Sequence, residues 1–140
     1  MKVLLIHQYF LEKDDGGGSR FNAMTKMWAD QGHEIIVLAG MVHYYTGKKL
    51  PRYKGRFTLV DRYSERQTIV RCHVSEAYNT NFLGRLWAYV SFVLSSLYAG
   101  LVKVKGRPDV ILVTSPPLFV GITAFLLSRI RRVPMVFEVR

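Results

Sequence analysis

The sequence predicts an α/β fold: a Rossmann-like, doubly wound parallel sheet in three α/β/α layers, built as one domain of 140 residues. Three observations predict it. Short, continuously apolar runs of strand length recur along the chain, as strands buried on both faces require. Segments of helical spacing or helix-length apolar content stand between them, giving the order β-α-β-(loop)-β-α-β-α-β. A glycine-rich stretch, Asp14-Asp15-Gly16-Gly17-Gly18-Ser19-Arg20, links the first apolar run to the first periodic segment. A hydrophobic content of 49% supplies a real core and excludes a disordered chain.

Lys2 to Ile6, extending towards Gln8, is the first buried strand. Gln8 to Asp15 is a connector, long for a βα turn. A helix follows from Gly18 or Ser19 to Gln31, with Phe21, Met24, Met27 and Trp28 on its apolar face. Gly32 stands where a C-terminal glycine stop belongs. Ile35 to Ala39 is the second buried strand. Gly40 to Gln67 is the least regular part, interleaving Tyr44, Tyr45, Tyr53, Phe57 and Tyr63 with a run of Lys and Arg. It reads as a long, mobile loop with a short strand near Phe57 to Val60. Thr68 to Val74 is the third strand, and it holds the single cysteine, Cys72, as a buried structural thiol.

Asn81 to Lys105 is helical, and Leu86 to Val102 within it carries no charge over about 26 Å. A membrane span needs about twenty such residues, and Ser91, Ser95, Ser96 and Gly100 interrupt this one, so a buried or membrane-surface helix is the better reading. Val110 to Val113 is the fourth strand. After Thr114-Ser115-Pro116-Pro117, Ser115 is placed to cap a helix from Pro117 to Arg131, apolar nearly all round. Val133 to Phe137 is the fifth strand.

In a doubly wound sheet, ligands sit at the carboxyl ends of strands, where the strand order reverses. The turns at Gly16–Arg20 and Thr114–Pro117 then face one crevice. Glycines there let the backbone approach a ligand closely, and the free N–H groups of the following helix favour an anion. His7, at the end of the first strand, belongs beside the same crevice. Ser19 and Arg20 read as cap and phosphate clamp, because no Ser-His-Asp grouping accompanies them. A dinucleotide fold is disfavoured: Phe21 occupies the place of the third glycine, and Ala39-Gly40-Met41 ends the second strand without a carboxylate. Gly47-Lys48-Lys49 is not a P-loop. His7, His33, His43 and His73 lack metal-ligand spacing, so no metal is expected.

Twenty Lys and Arg against ten Asp and Glu give a net charge of +10. The partner is expected to be anionic: a phosphorylated substrate, an anionic membrane surface or a nucleic acid. Nucleic acid is disfavoured, since the charge clusters in one loop without a recognised binding motif. Met1-Lys2 leads straight into a strand rather than a secretory signal, which points to the cytoplasm.

The stretches Met1–Phe10, Gly16–Arg20, Asp109–Pro117 and Pro134–Arg140 together resemble the amino-terminal domain of family 4 glycosyltransferases, the type that builds bacterial surface polysaccharides. The resemblance implies half of a GT-B architecture, in which two Rossmann-like domains face a cleft. It implies that Gly16, Gly17, Gly18, Ser19 and Arg20 approach donor or acceptor phosphate. Thr114, Ser115, Pro116, Glu138 and Arg140 would line the same wall. The nucleotide-sugar donor would be bound mainly by a carboxyl-terminal domain that this chain lacks. No metal or other cofactor is implied, and anomeric configuration is retained. The expected function is acceptor binding, for a lipid-linked or saccharide acceptor, peripherally at the inner face of the cell membrane. The Gly40–Gln67 loop and the Leu86–Val102 helix would supply attachment. The 140-residue chain alone is expected to be inactive, as a shortened form, a gene fragment or half of a split enzyme. The alternative is a non-catalytic membrane-surface or anion-binding module.

Overall fold

A computed structural model describes residues 1–7, 20–41, 53, 55–75, 81–104, 107–114 and 120–138. Along the chain run β1 (Lys2–Ile6), α1 (Arg20–Asp30), β2 (Glu34–Gly40), β3 (Thr58–Ser64), β4 (Gln67–Cys72), α2 (Phe82–Val102), β5 (Val110–Thr114), α3 (Val120–Arg131) and β6 (Met135–Glu138). The six strands form one sheet in the order β3-β4-β2-β1-β5-β6. β1 pairs in parallel with β2 on one side and β5 on the other. The sheet thus grows outwards in both directions from β1, and the strand order reverses between β1 and β5. This is the doubly wound α/β fold.

One strand departs from the parallel pattern. The segment expected as a short strand in a mobile loop is the seven-residue β3, antiparallel to β4. Only Glu65 and Arg66 separate the two, and a two-residue link can join only antiparallel neighbours. The turn is held by Arg62, whose guanidinium donates to the Glu65 carbonyl at 2.9 Å. Part of the aromatic series is packed: Tyr53 is buried, and the Phe57 ring meets Tyr98 edge-on at 5.4 Å and stacks on His73 at 6.1 Å. The neighbouring residues 42–52 lie outside the described residues.

Two apolar layers sandwich the sheet. On one face Val3, Leu5, Ile35, Val37 and Ile69 pack with Ala29 and Trp28 of α1. On the other, Leu4, Ile6, Leu38, Val70 and Ile111 pack with Phe92 of α2 and Leu127 of α3. The alternation along each strand is the ordinary period of two, and burial on both faces explains the unbroken apolar runs.

α1 ends as expected at Gly32. Its φ of +95° suits glycine, and its N–H donates to the Ala29 carbonyl while that of His33 donates to Trp28, a Schellman stop. The face of α1 differs from expectation. Met27 is half exposed, whereas Thr25 and Ala29 are buried. The roll is set by β4, where the Gln67 amide donates to the Thr25 hydroxyl at 2.8 Å. A buried amide needs a partner, and Met27 cannot supply one.

α2 begins at Asn81, whose side-chain oxygen accepts from the Gly84 N–H at 2.7 Å. α2 and α3 lie side by side, roughly parallel. Ser96 hydrogen-bonds Thr123 at 2.9 Å, and Arg131 donates to the carbonyls of Leu101 and Val104. Gly100 permits the close approach, since a Cβ there would stand 2.6 Å from Leu127.

Cys72 is fully buried, as the sequence reading expects, and burial pushes its thiol far above the ordinary value of 9.0 while Arg71 works the other way. The unfolded chain then loses this proton before the native state does. Stability is therefore complete below pH 9 and declines above it, by at most about 1.4 kcal/mol per pH unit for one proton. Urea midpoints of the wild type and Cys72→Ala across the alkaline range check this: the additional alkaline slope is expected only in the wild type.

Candidate functional site

The carboxyl ends of the strands carry a row of residues in register. Ala39 of β2 stands opposite Arg71 of β4, and Thr114 of β5 opposite Glu138 of β6. Ile6 stands opposite both Leu38 and Val113, so the next residue, His7, falls between Ala39 and Thr114. The His7 N–H donates to the Leu38 carbonyl at 3.0 Å, carrying the ladder through this position. The row therefore reads Arg71–Ala39–His7–Thr114–Glu138. At about 4.8 Å per strand it spans about 19 Å.

Strand alternation fixes which way the row faces. Leu5, Ile69 and Leu112 belong to the layer beneath α1, so His7, Arg71 and Thr114, two residues further along the same strands, face that side as well. α1 lies over β2 and β4 on this face and starts at the carboxyl edge. Its first N–H groups have no partner within the helix and carry its positive dipole end. His7 and Arg71 are buried at 4% and 2% exposure, and Thr114 is fully buried. One Arg71 N–H donates to the Gly40 carbonyl at 3.1 Å, which holds the guanidinium against the end of β2.

The expectations for this site meet the structure unevenly. His7 and Thr114 come together at the reversal point as neighbours, and Glu138 joins them in register. Arg20 opens α1. Gly16, Gly17, Gly18, Ser19, Ser115, Pro116 and Arg140 lie outside the described residues. Arg71 is the residue that sequence reasoning missed. Its signal was a charge set between Ile69-Val70 and Cys72 in the strand run Thr68–Val74, a position that is costly for a cation unless the fold uses it.

An apolar groove of about 280 Å³ lies on the same face, lined by Val3, Trp28, His33, Val110, Leu112 and Val136. It runs over β1, β5 and β6 where α1 leaves the sheet uncovered, towards the amino ends of the strands. Leu112 and Val136 stand two residues before Thr114 and Glu138 on their strands, so the groove borders the polar row on the same face of the sheet.

Comparison with known proteins locates the fold and no more. No protein-family model matches the chain, and no curated protein matches it. Among solved structures it is similar to the C-terminal domain (residues 78–226) of a hydrogenase from Pyrococcus furiosus. The TM-score is 0.56 with 16% sequence identity, over 98% of this chain and 89% of that one. At that identity the likeness concerns the path of the backbone, and it agrees with the layered α/β architecture.

Proposed function

We propose that this chain is the acceptor-side domain of a retaining glycosyltransferase of the family 4 type. Sugar passes from a nucleotide-sugar donor to a lipid-linked or saccharide acceptor in polysaccharide synthesis, at the cytoplasmic face of the cell membrane. A partner domain holds most of the donor. The observation that supports this reading is the Arg71–His7–Thr114 row at the reversal of strand order, on the face from which α1 points its positive end. Arg71 gives the crevice floor a positive potential that a phosphate of donor or acceptor would meet. His7 and Thr114 provide a ring nitrogen and a hydroxyl beside it, groups suited to orienting a sugar hydroxyl or a phosphate oxygen.

The test is a titration of the isotopically labelled chain with inorganic pyrophosphate, and separately with a polyprenyl-diphosphate-linked sugar, followed by NMR. Amide shifts are expected to concentrate at His7, Arg71 and Thr114. Shifts confined to the Trp28–Val136 groove, or none with either ligand, reject the crevice. Transfer from a nucleotide sugar by this domain together with a donor-binding partner domain then tests the reaction itself.

A further inference from the structure

The amphipathicity of α2 is inverted. Its polar residues face inwards: the Ser95 hydroxyl donates to the His73 carbonyl at 2.6 Å, the Ser91 hydroxyl accepts from the Ser75 N–H at 2.8 Å, and Ser96 pairs with Thr123. Its outer stripe, in contrast, is apolar. Leu83, Trp87, Leu94, Tyr98 and Leu101 recur at helical spacing, and Leu83 and Leu94 are 71% and 54% exposed. Alongside, α3 turns Ile122 and Phe125 outwards. A helix facing water presents the reverse arrangement, and a row of exposed large apolar side chains on two neighbouring helices marks a contact.

The ionic groups on these helices select the contact. Neither α2 nor α3 contains an acid, while Arg85, Lys103, Arg129 and Arg131 lie on or next to them. Asp109 is the only acid between Ala77 and Phe137. A second copy would bring cations against cations, which is unfavourable. Anionic headgroups complement the pattern, and Trp87 and Tyr98 are side chains suited to a membrane–water interface.

The depth of insertion follows from packing. α2 is 21 residues long with a mean hydropathy of 1.3, enough by composition to cross a bilayer. However, Ala88, Phe92 and Ala99 on its inner side belong to the core. Spanning would strip these from the sheet, so the helix lies in the plane of the interface. The Ser91 hydroxyl accepts from the N–H of Ser75, three residues past the end of β4, so Ser91 already stands beyond the carboxyl end of that strand. The turns before Ser91, carrying Phe82, Leu83 and Trp87, therefore overhang the carboxyl edge of the sheet.

We infer that the outer face of α2 and α3 docks in-plane on an anionic phospholipid bilayer, on the side of the sheet opposite the Arg71–His7–Thr114 row. This deepens the membrane placement of the proposed reading by naming the surface that carries it, and it rests on α2 and α3 alone.

The experiment uses Trp28→Phe, leaving Trp87 as the sole tryptophan, with vesicles of phosphatidylglycerol and phosphatidylcholine and with phosphatidylcholine alone. Co-sedimentation with anionic vesicles, a blue shift of Trp87 and its quenching by brominated lipid are expected, together with release by alkaline carbonate. Leu83→Glu/Leu94→Glu, both at exposed positions, is expected to keep the wild-type circular dichroism and to lower partitioning at least about tenfold. Four results overturn the inference. They are no binding to anionic vesicles, binding unchanged in the folded Glu variant, resistance to carbonate as for a spanning helix, and a dimer in light scattering that the same variant abolishes. Binding is measured without nucleotide sugar or pyrophosphate, so a failure here leaves the crevice titration unaffected.

Discussion

Phe92→Ala is expected to destabilise the fold by about 3–5 kcal/mol. Phe92 is fully buried on the inner side of α2, in the layer that also holds Leu4, Ile6, Leu38, Val70 and Leu127. Truncation removes the ring and leaves a cavity between α2 and strands that are themselves held by parallel pairing, so they cannot close in without disturbing the register. A domain of this size has about 5–15 kcal/mol in total, so the loss is a large fraction of it. Leu94, two residues further on, is 54% exposed on the opposite side. Leu94→Ala is expected to change stability by less than about 1 kcal/mol in water. Urea denaturation of the two variants measures the roll of α2 directly. Equal losses would show that Leu94 is as buried as Phe92, and would remove the outer apolar stripe from which the membrane face is argued.

Arg71→Met is expected to weaken binding of a diphosphate-bearing ligand at least about tenfold while the protein stays folded. Two charges about 6 Å apart at an effective dielectric of about 20 interact by about 3 kcal/mol, and a tenfold change in affinity needs about 1.4. Methionine has a similar reach without the charge. Stability is expected to move by less than about 2 kcal/mol, because two effects oppose. Losing the guanidinium removes a buried charge that is costly to desolvate. It also leaves the Gly40 carbonyl without the donor it now has at 3.1 Å, at about 1–3 kcal/mol. Titration calorimetry with pyrophosphate, beside thermal unfolding, separates the two. Unchanged affinity in a folded variant would take Arg71 out of the site and leave the crevice with His7, Thr114 and the start of α1.

Much of the architecture was legible in the sequence because it follows from local rules. Unbroken apolar runs such as Val3–Ile6 and Ile35–Ala39 can only be satisfied by burial on both faces, and Gly32 marks a helix end because few residues tolerate its φ. The β3–β4 hairpin was harder to read. Thr58–Ser64 mixes Asp61 and Arg62 with Leu59 and Val60, an edge-strand composition that has no clear period. The face of α1 was misjudged for a related reason. Periodicity picked Met27 by its hydrophobicity, whereas the need of Gln67 for a partner turned Thr25 inwards.

The sequence by itself determined most of the elements and the doubly wound order, and from that order the expectation of a site at the carboxyl ends of the strands, since periodicity, glycine stops and crossover rules act within short stretches of chain. Only the tertiary structure decided which residues share that place and which surface is left over. Arg71 and Thr114 are 43 positions apart and meet in one row only because β2 and β1 lie between their strands in register. The sequence shows that Leu86 to Val102 of α2 carries no charge and is interrupted by serines. That its serines face the core and its leucines the outside depends on the carbonyl of His73 and the hydroxyl of Thr123, partners that folding alone brings within reach.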